Sequence, residues 1–467
     1  MHAFASLLSR RALLVLLAGS ALAGSAGCYR RPRPEVGDAP VGEQPRGRGT
    51  RTPNPLDPTA VYAQAGLLAE SDPIPFVGNV RYLAGRSPDS TLVFLTLSLA
   101  NRALTFAGEG DGQQAKYQVT VDFRQGSTTV KHFDSREVVR VGSFRETSRS
   151  DESVIFQQFI PAAPGQYVLA VAVRDEGSAR NGQHEMLLAI PRLATRALSS
   201  PIPVYQASPR TTTDSLPELI ANPRATVIFG RDSVARLYIE GYGLAPNTPV
   251  VLAALGDRNA VIWRDTVPLG VGGALQANVL TIPVSQLGVG RLTIAASTQD
   301  GADTVRTPLF VTFGDEWAIA SFDEMLNYLR YFVSPSRLAE LRGASPETRA
   351  AVWGAFYKQS DPDPATPEHE GLRDYFNRLQ QANERFREEG TPGWLSDRGR
   401  VFVTLGEPDQ VLEQGESNMS QRGRAQIWAY AQYRLQLVFV DQTGFGRWRL
   451  TSSSENDFIT VANRERR

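Results

Sequence analysis

From about Phe76 to Phe313 the chain alternates between apolar and polar residues, and this period of two constrains the fold more than any other feature. In AKYQVTVDFR, Tyr117, Val119, Val121 and Phe123 fall on one face while Gln118, Thr120, Asp122 and Arg124 fall on the other. That is the pattern of a half-buried antiparallel strand. STLVFLTLSLA, ESVIFQQFI and PGQYVLAVAVRD repeat the theme, with Pro164-Gly165 as the turn before Tyr167. After Pro201-Ile202-Pro203 a second set follows: ATVIFG, VARLYIEG, TPVVLAAL, NAVIWRDTV, LQANVLTIPV and RLTIAAS. Short runs separated by Gly, Pro, Asp and Ser predict two antiparallel β-sandwiches, over residues 60–198 and 199–314.

At Gly314 the pattern becomes helical. Ser321-Phe322-Asp323-Glu324 is a capping box. Ser334-Pro335, Ser345-Pro346 and Thr366-Pro367 each place a capping hydroxyl before a proline suited to the first helical position. A helical segment is expected over 315–390, its longest helix running from about Pro367 to Glu389 with Leu372, Tyr375, Phe376, Leu379, Ala382 and Phe386 as the core stripe. From Thr391 strands return in RVFVTLG, AQIWAY, YRLQLVFVD and GRWRL, and Arg464 to Arg467 read as a frayed end. The expected fold class is therefore multidomain and mainly β. Two antiparallel β-sandwiches precede a helical segment and a small C-terminal α+β domain (391–467) whose antiparallel sheet packs on the preceding helix.

The one cysteine among 467 residues is Cys28, at the end of a small and apolar stretch that follows Arg10-Arg11. This is a secretory signal peptide. Its strongly apolar part, Ala12 to Ala18, is shorter than the roughly 20 residues a spanning helix needs. Ser25-Ala26-Gly27-Cys28 resembles a bacterial lipobox, in which Cys28 is lipidated and begins the mature chain, while Ala21-Leu22-Ala23 offers an ordinary signal peptidase site. Ser9-Arg10-Arg11 also looks like a twin-arginine export signal. Tyr29 to Thr59, rich in proline and almost without large apolar side chains, reads as a disordered tether. With Tyr29 rather than Asp after Cys28, lipoprotein sorting favours the outer membrane. The expected location is lipid-anchored, on the periplasmic face of that membrane.

Equal numbers of basic and acidic residues, 49 each, leave no net charge to attract nucleic acid. A single cysteine excludes intrachain disulfides and thiolate zinc clusters. The sequence has no nucleophile elbow, S-x-x-K pair, Walker loop or dinucleotide fingerprint. His132, His184 and His369 lie in different segments. SDPDPATPEHE gathers Asp361, Asp363, Glu368, His369 and Glu370, enough oxygen ligands to suggest calcium. Its prolines equally make it a stiff link, with acids placed in a first helical turn. The expectation is no metal and no cofactor. The specialised segment is GWLSDRGRVFVTLGEPD, read as a turn that exposes Trp394 near Asp397, Arg398 and Arg400, then a strand ending at Gly406, with Glu407 and Asp409 in the next turn. Two readings stand: a cleft in which arginine clamps a carboxylate or sugar, or Asp397 bonding its own turn while Trp394 caps the core.

Gly393-Trp394-Leu395-Ser396-Asp397 resembles the motif that names the GWxTD-domain family, with Ser for the usual Thr. Ala382-Asn383-Glu384-Arg385-Phe386, Asp397-Arg398-Gly399-Arg400-Val401, Ile427-Trp428 with Tyr430, and Phe439 through Asp441 to Gly444-Phe445-Gly446 add to the resemblance. The family consists of predicted bacterial envelope lipoproteins of unknown function, so the resemblance implies a location and an architecture but no reaction. The expected role is a non-enzymatic lipoprotein, anchored by its lipid to the membrane, whose C-terminal domain binds an unidentified envelope protein. Trp394, Asp397, Arg398, Arg400, Asp409, Trp428 and Asp441 are the candidate contacts. The alternative is a carboxylate-dependent hydrolase or carbohydrate-binding protein, with Asp397, Glu407, Asp409 and Asp441 as acids and Trp394 or Trp428 as a sugar platform.

Overall fold

The structure is a computed structural model that describes residues 58–465 except 72, 111, 149–153, 194–195, 271–272, 302, 315–320, 367 and 415–422. Cys28, the expected signal peptide and the expected tether up to residue 57 lie outside the described residues. No helix among the described residues is long and apolar enough to cross a membrane. Residues 53–467 form one compact unit. Its first element is a helix, Pro58–Gln64, where the end of the tether was expected; it is ordered because Val61 and Tyr62 bury against Phe310.

The first sandwich faces one sheet, Leu68–Glu70, Phe76–Ala84, Thr91–Leu99 and Val154–Ala162, against another built on Ala107–Glu109, Gly112–Gln125, Gly165–Asp175 and Asn181–Ile190. Thr128–Val141 completes the second sheet as a long antiparallel partner of Gly112–Gln125. Tyr117, Val119, Val121 and Phe123 point inward, as the alternation predicts, onto Val93, Leu95 and Leu97. Thr91–Leu99 is buried at every position. Its second face, Leu92 and Phe94, packs on Ile202, Val204, Leu219 and Tyr238 of the next sandwich. A strand covered on both sides has no polar face, which is why TLVFLTL is nearly continuous in apolar character.

The second sandwich pairs Ala197–Leu198, Ile202–Ser208, Glu218–Ala221, Val234–Tyr242 and Leu275–Pro283 in one sheet. Opposite lie Thr226–Ile228, Thr304–Thr312, Gly290–Thr298, Pro249–Leu255 and Val261–Pro268, in that order. At its junction with the first sandwich sits a buried polar network. Arg210 Nε and Nη2 donate to Glu240 Oε1 and Oε2 at 2.7 and 2.8 Å, and Nη2 also reaches the Ala84 carbonyl of the first sandwich at 2.8 Å. Tyr238 and Tyr242 donate their hydroxyls to the same carboxylate at 2.5 Å each.

The helical segment packs on this sandwich. Ser321 and Ser334 cap Phe322–Tyr328 and Pro335–Gly343 by accepting from the N–H of Glu324 and Arg337. The other two starts differ from the sequence expectation. Ser345-Pro346 opens only a turn, and the helix proper is Arg349–Ser360. The long helix is Glu370–Arg385, and its cap is His369, whose Nδ1 accepts from Leu372 N–H at 3.0 Å; Pro367 lies outside the described residues. The ring nitrogen takes the place of the expected capping hydroxyl, and the helix starts three residues further along. The expected core stripe is intact, with Leu372, Tyr375, Phe376, Leu379 and Ala382 buried.

The C-terminal sheet runs Gln410–Gln414, Arg424–Tyr430, Leu435–Asp441 and Arg449–Leu450, all antiparallel. Two features correct the sequence reading. RVFVTLG is not a strand but most of the helix Asp397–Leu405. A last helix, Ser452–Glu465, buries Phe458 and Ala462 and includes Arg464 and Glu465 of the expected frayed end, whose last two residues lie outside the described residues. One hydrophobic cluster runs from the second sandwich through the helices to this sheet.

Candidate partner-binding site

The Gly393–Asp397 motif is a joint between two helices. Gly393–Leu395 makes a 3₁₀ turn that follows the long helix after a reversal bridged by Glu388 and Thr391. The turn lies so close to that helix that a Cβ on Gly393 would stand 2.3 Å from the Ala382 carbonyl oxygen. Asn383 Oδ1 accepts from Gly393 N–H at 3.1 Å and fixes the approach. Ser396 then caps the next helix, accepting from Gly399 N–H at 3.0 Å and donating to the Gly393 carbonyl at 2.7 Å. Gly399 completes the joint, since a Cβ there would stand 1.9 Å from Gly393 O. A hydroxyl at position 396 is what the cap needs, so serine serves where the family usually has threonine.

Trp394 is not exposed by a turn but buried, 4% exposed, with Tyr328 and Tyr331 edge-on at 5.5 and 6.1 Å and the Arg330 guanidinium over its ring. Among the described residues its indole N–H has no acceptor. Asp397 accepts from Leu450 N–H at 2.8 Å, tying the helix start to the last strand. Its helix is buried at Val401, Phe402, Val403, Thr404 and Leu405, so no polar stripe marked it as a helix in the sequence. Thr404 returns its hydroxyl to the Arg400 carbonyl at 2.8 Å.

The remaining predicted contacts are dispersed. Arg400 pairs with Glu455 of the last helix, at 2.8 Å through Nη1. Arg398 is half-buried between the rings of Phe386 and Trp448, 5.4 and 4.9 Å from its guanidinium, and burial draws its pKa down. Asp409 accepts from Ala431 N–H at 2.6 Å. Trp428 is buried against Phe386 and Phe439. Asp441 is fully buried and holds the loop that follows it. Of the four candidate acids, Glu407 pairs with Arg385 at 2.8 Å through Oε1, and no two share a partner. The structure therefore does not gather the seven residues into one cleft.

Nor do the histidines converge. His132 stands exposed between Asp122 and Asp134, at 2.7 and 2.6 Å, and those two bonds raise its pKa. His184 lies on Asn181–Ile190. His369 Nε2 is 2.9 Å from Ser360 Oγ, the spacing of a nucleophile and its base. Because Nδ1 accepts a backbone N–H, the neutral ring carries its proton on Nε2 and donates to Ser360, which itself donates to the Phe356 carbonyl at 2.9 Å. The hydroxyl is thus not activated.

What the domain leaves open is the edge of its sheet, which the sequence reading passed over. Gln410–Gln414 pairs on one side only among the described residues. It exposes Val411 at 46% and Leu412 at 55%, and carries no Pro or Lys to blunt it. At the start of this strand, on its paired side, a groove of about 780 Å³ opens between the Arg424–Tyr430 and Leu435–Asp441 strands and the last helix, with Asp409, Gln410, Ala429, Gln436 and Val461 in its lining. The only sequence signal was an apolar pair, Val411-Leu412, straight after the Pro408-Asp409 turn.

The GWxTD domain family model matches residues 297–446, from within strand Gly290–Thr298 to the loop after Leu435–Asp441. Among solved structures, the chain is similar to the BSP domain of a biofilm-associated protein, at 8% identity over 52% of each chain with a TM-score of 0.17. It is also similar to the native conformation of E. coli alpha-2-macroglobulin, at 13% identity over 54% of this chain and 17% of that one, with a TM-score of 0.20. No curated protein matches the chain. With the motif standing at Gly393–Asp397 as the joint between two core helices, the chain carries a GWxTD domain over residues 297–446.

Proposed function

We propose that this chain is a non-enzymatic envelope lipoprotein, anchored through Cys28 on the periplasmic face of the outer membrane, whose C-terminal domain docks a protein partner. The partner contributes an extended segment that adds to the edge strand Gln410–Gln414. The observation that carries this reading is the open edge itself, with Val411 and Leu412 half-exposed on opposite faces and a groove at its start. Added backbone bonds supply affinity there, and packing on Val411 and Leu412 supplies selectivity. The motif residues act behind this surface, holding sheet and helices in register.

The reading is tested by crosslinking the anchored protein in intact envelopes and comparing wild type with a Val411→Lys, Leu412→Lys double variant. Both sites face solvent, so the variant keeps the wild-type unfolding temperature within about 0.5 kcal/mol of stability. The expected result is loss of a crosslinked partner band that wild type gives. A band of equal strength in the variant contradicts strand addition at this edge.

A further inference from the structure

The loop between Leu435–Asp441 and Arg449–Leu450 is built to hold one aromatic side chain in water. Asp441 Oδ1 accepts from Gly444 N–H at 3.0 Å and from the Thr443 hydroxyl at 2.9 Å, while Oδ2 accepts from Gly446 N–H at 2.8 Å and Arg424 Nη2 at 2.9 Å. Arg424 also donates to the Gly444 carbonyl, and Thr443 Oγ1 accepts from Phe445 N–H, both at 3.3 Å. Burial alone would raise the Asp441 pKa, but Arg424, Gly446 N–H and Thr443 outweigh it and hold it at about 2. Gly444 and Gly446 take φ of +72° and +81°, a region that favours glycine, and between them Phe445 is 89% exposed. Beneath the loop the buried Trp448 ring lies between the guanidinium groups of Arg398 and Arg424, at 4.9 and 5.5 Å.

Phe445 adds nothing to the core, yet hydrogen bonds fix the loop backbone on either side of it. Three arginines stand at its rim, each paired with a carboxylate. Arg424, Arg447 and Arg449 are each about half exposed, whereas the carboxylates paired with Arg424 and Arg449, those of Asp441 and Glu388, are buried. Glu389, 3.4 Å from Arg447, is the exposed acid paired at this rim. The exposed neighbours Gln442, Thr443 and Arg447 are polar, so Phe445 has no apolar surround of the size a protein interface buries.

We propose that this loop is a contact for an anionic phospholipid surface. Phe445 enters the boundary between headgroups and acyl chains, and Arg424, Arg447 and Arg449 meet the phosphates, their stems lying along the apolar layer. This does not depend on the edge strand or on lipidation at Cys28.

The test is flotation of the compact unit, residues 53–467, with vesicles of phosphatidylglycerol and phosphatidylethanolamine, and with vesicles of phosphatidylcholine alone. The expected result is binding to the anionic vesicles that weakens with salt and falls at least fivefold in Phe445→Ser, while Phe445→Trp binds as well as wild type. Since the side chain stands in water, both variants keep the wild-type circular dichroism and unfolding temperature. Equal flotation of wild type and Phe445→Ser overturns the proposal. So does wild-type protein that stays out of the vesicle fraction, which would leave the loop to a protein partner.

Discussion

Trp394→Ala is expected to lower stability by about 3–5 kcal/mol, the cost of emptying a large aromatic site in a packed core. The ring fills the space between the 3₁₀ turn and the residues of and just after the Phe322–Tyr328 helix, where Tyr328 and Tyr331 meet it edge-on. Removing it leaves both tyrosines and the Arg330 guanidinium without that surface. At about 2–4 °C per kcal/mol for a domain of 150–250 residues, the unfolding temperature should fall by on the order of 10 °C. Trp394→Phe should stay much nearer wild type, because the indole N–H has no acceptor to lose. Calorimetry of the three proteins checks this, and an unchanged transition in Trp394→Ala would contradict it. A partner lost from Trp394→Ala would thus report a loosened domain rather than a removed contact.

The second large effect is expected at the junction of the sandwiches. Arg210→Ala leaves the Glu240 carboxylate buried without its cation, a loss of about 3–5 kcal/mol for a buried pair broken on one side. Glu240 is completely buried and Arg210 nearly so, so added salt should not reproduce the effect. Burial and the Glu240 charge keep the Tyr238 and Tyr242 hydroxyls protonated, so they remain as donors but carry no charge to replace the arginine. Denaturant unfolding should show a lower midpoint. Since Arg210 also holds the Ala84 carbonyl and, at 2.8 Å, that of Ser215, protease sensitivity should rise first in the 209–216 loop. An unchanged midpoint would mean that the network is not what secures the junction.

The sheets of both sandwiches were legible because alternation is a direct record of one covered face, as in Tyr117 to Phe123. The helix starts at Ser321 and Ser334 were legible for a similar reason: the capping hydroxyl is itself the structural element. What escaped reading was set by packing across long sequence distances. In RVFVTLG the β-branched Val401, Val403 and Thr404 have strand propensity, but the Ser396 cap and a core on every side impose a helix. In the same way, helix Ser452–Glu465 is anchored by Phe458 and Ala462 with Val461 partly buried beside them, and Arg400 reaching Glu455 helps to seat it.

The candidate site was legible as a place and not as a surface. Its aromatic and charged residues belong to one domain but stand at separate places: Trp394 turns into the core where Gly393 and Gly399 bring backbone against backbone, and Trp428 lies on the buried face of strand Arg424–Tyr430. The free edge at Gln410–Gln414 could not be read from its own residues, since an edge is defined by a neighbour that is missing.

The central claim is that the GWxTD motif is a joint between helices, and Gly399→Ala tests it most directly because it adds one methyl group and removes no interaction. That methyl would stand 1.9 Å from the Gly393 carbonyl oxygen, so the turn and helix must separate, at the upper end of the roughly 1–3 kcal/mol that overpacking costs. Amide hydrogen exchange should then show protection lost together in Glu370–Arg385, Asp397–Leu405 and the C-terminal sheet, with the first sandwich unchanged. Protection equal to wild type in both helices would show that the motif does not hold them together.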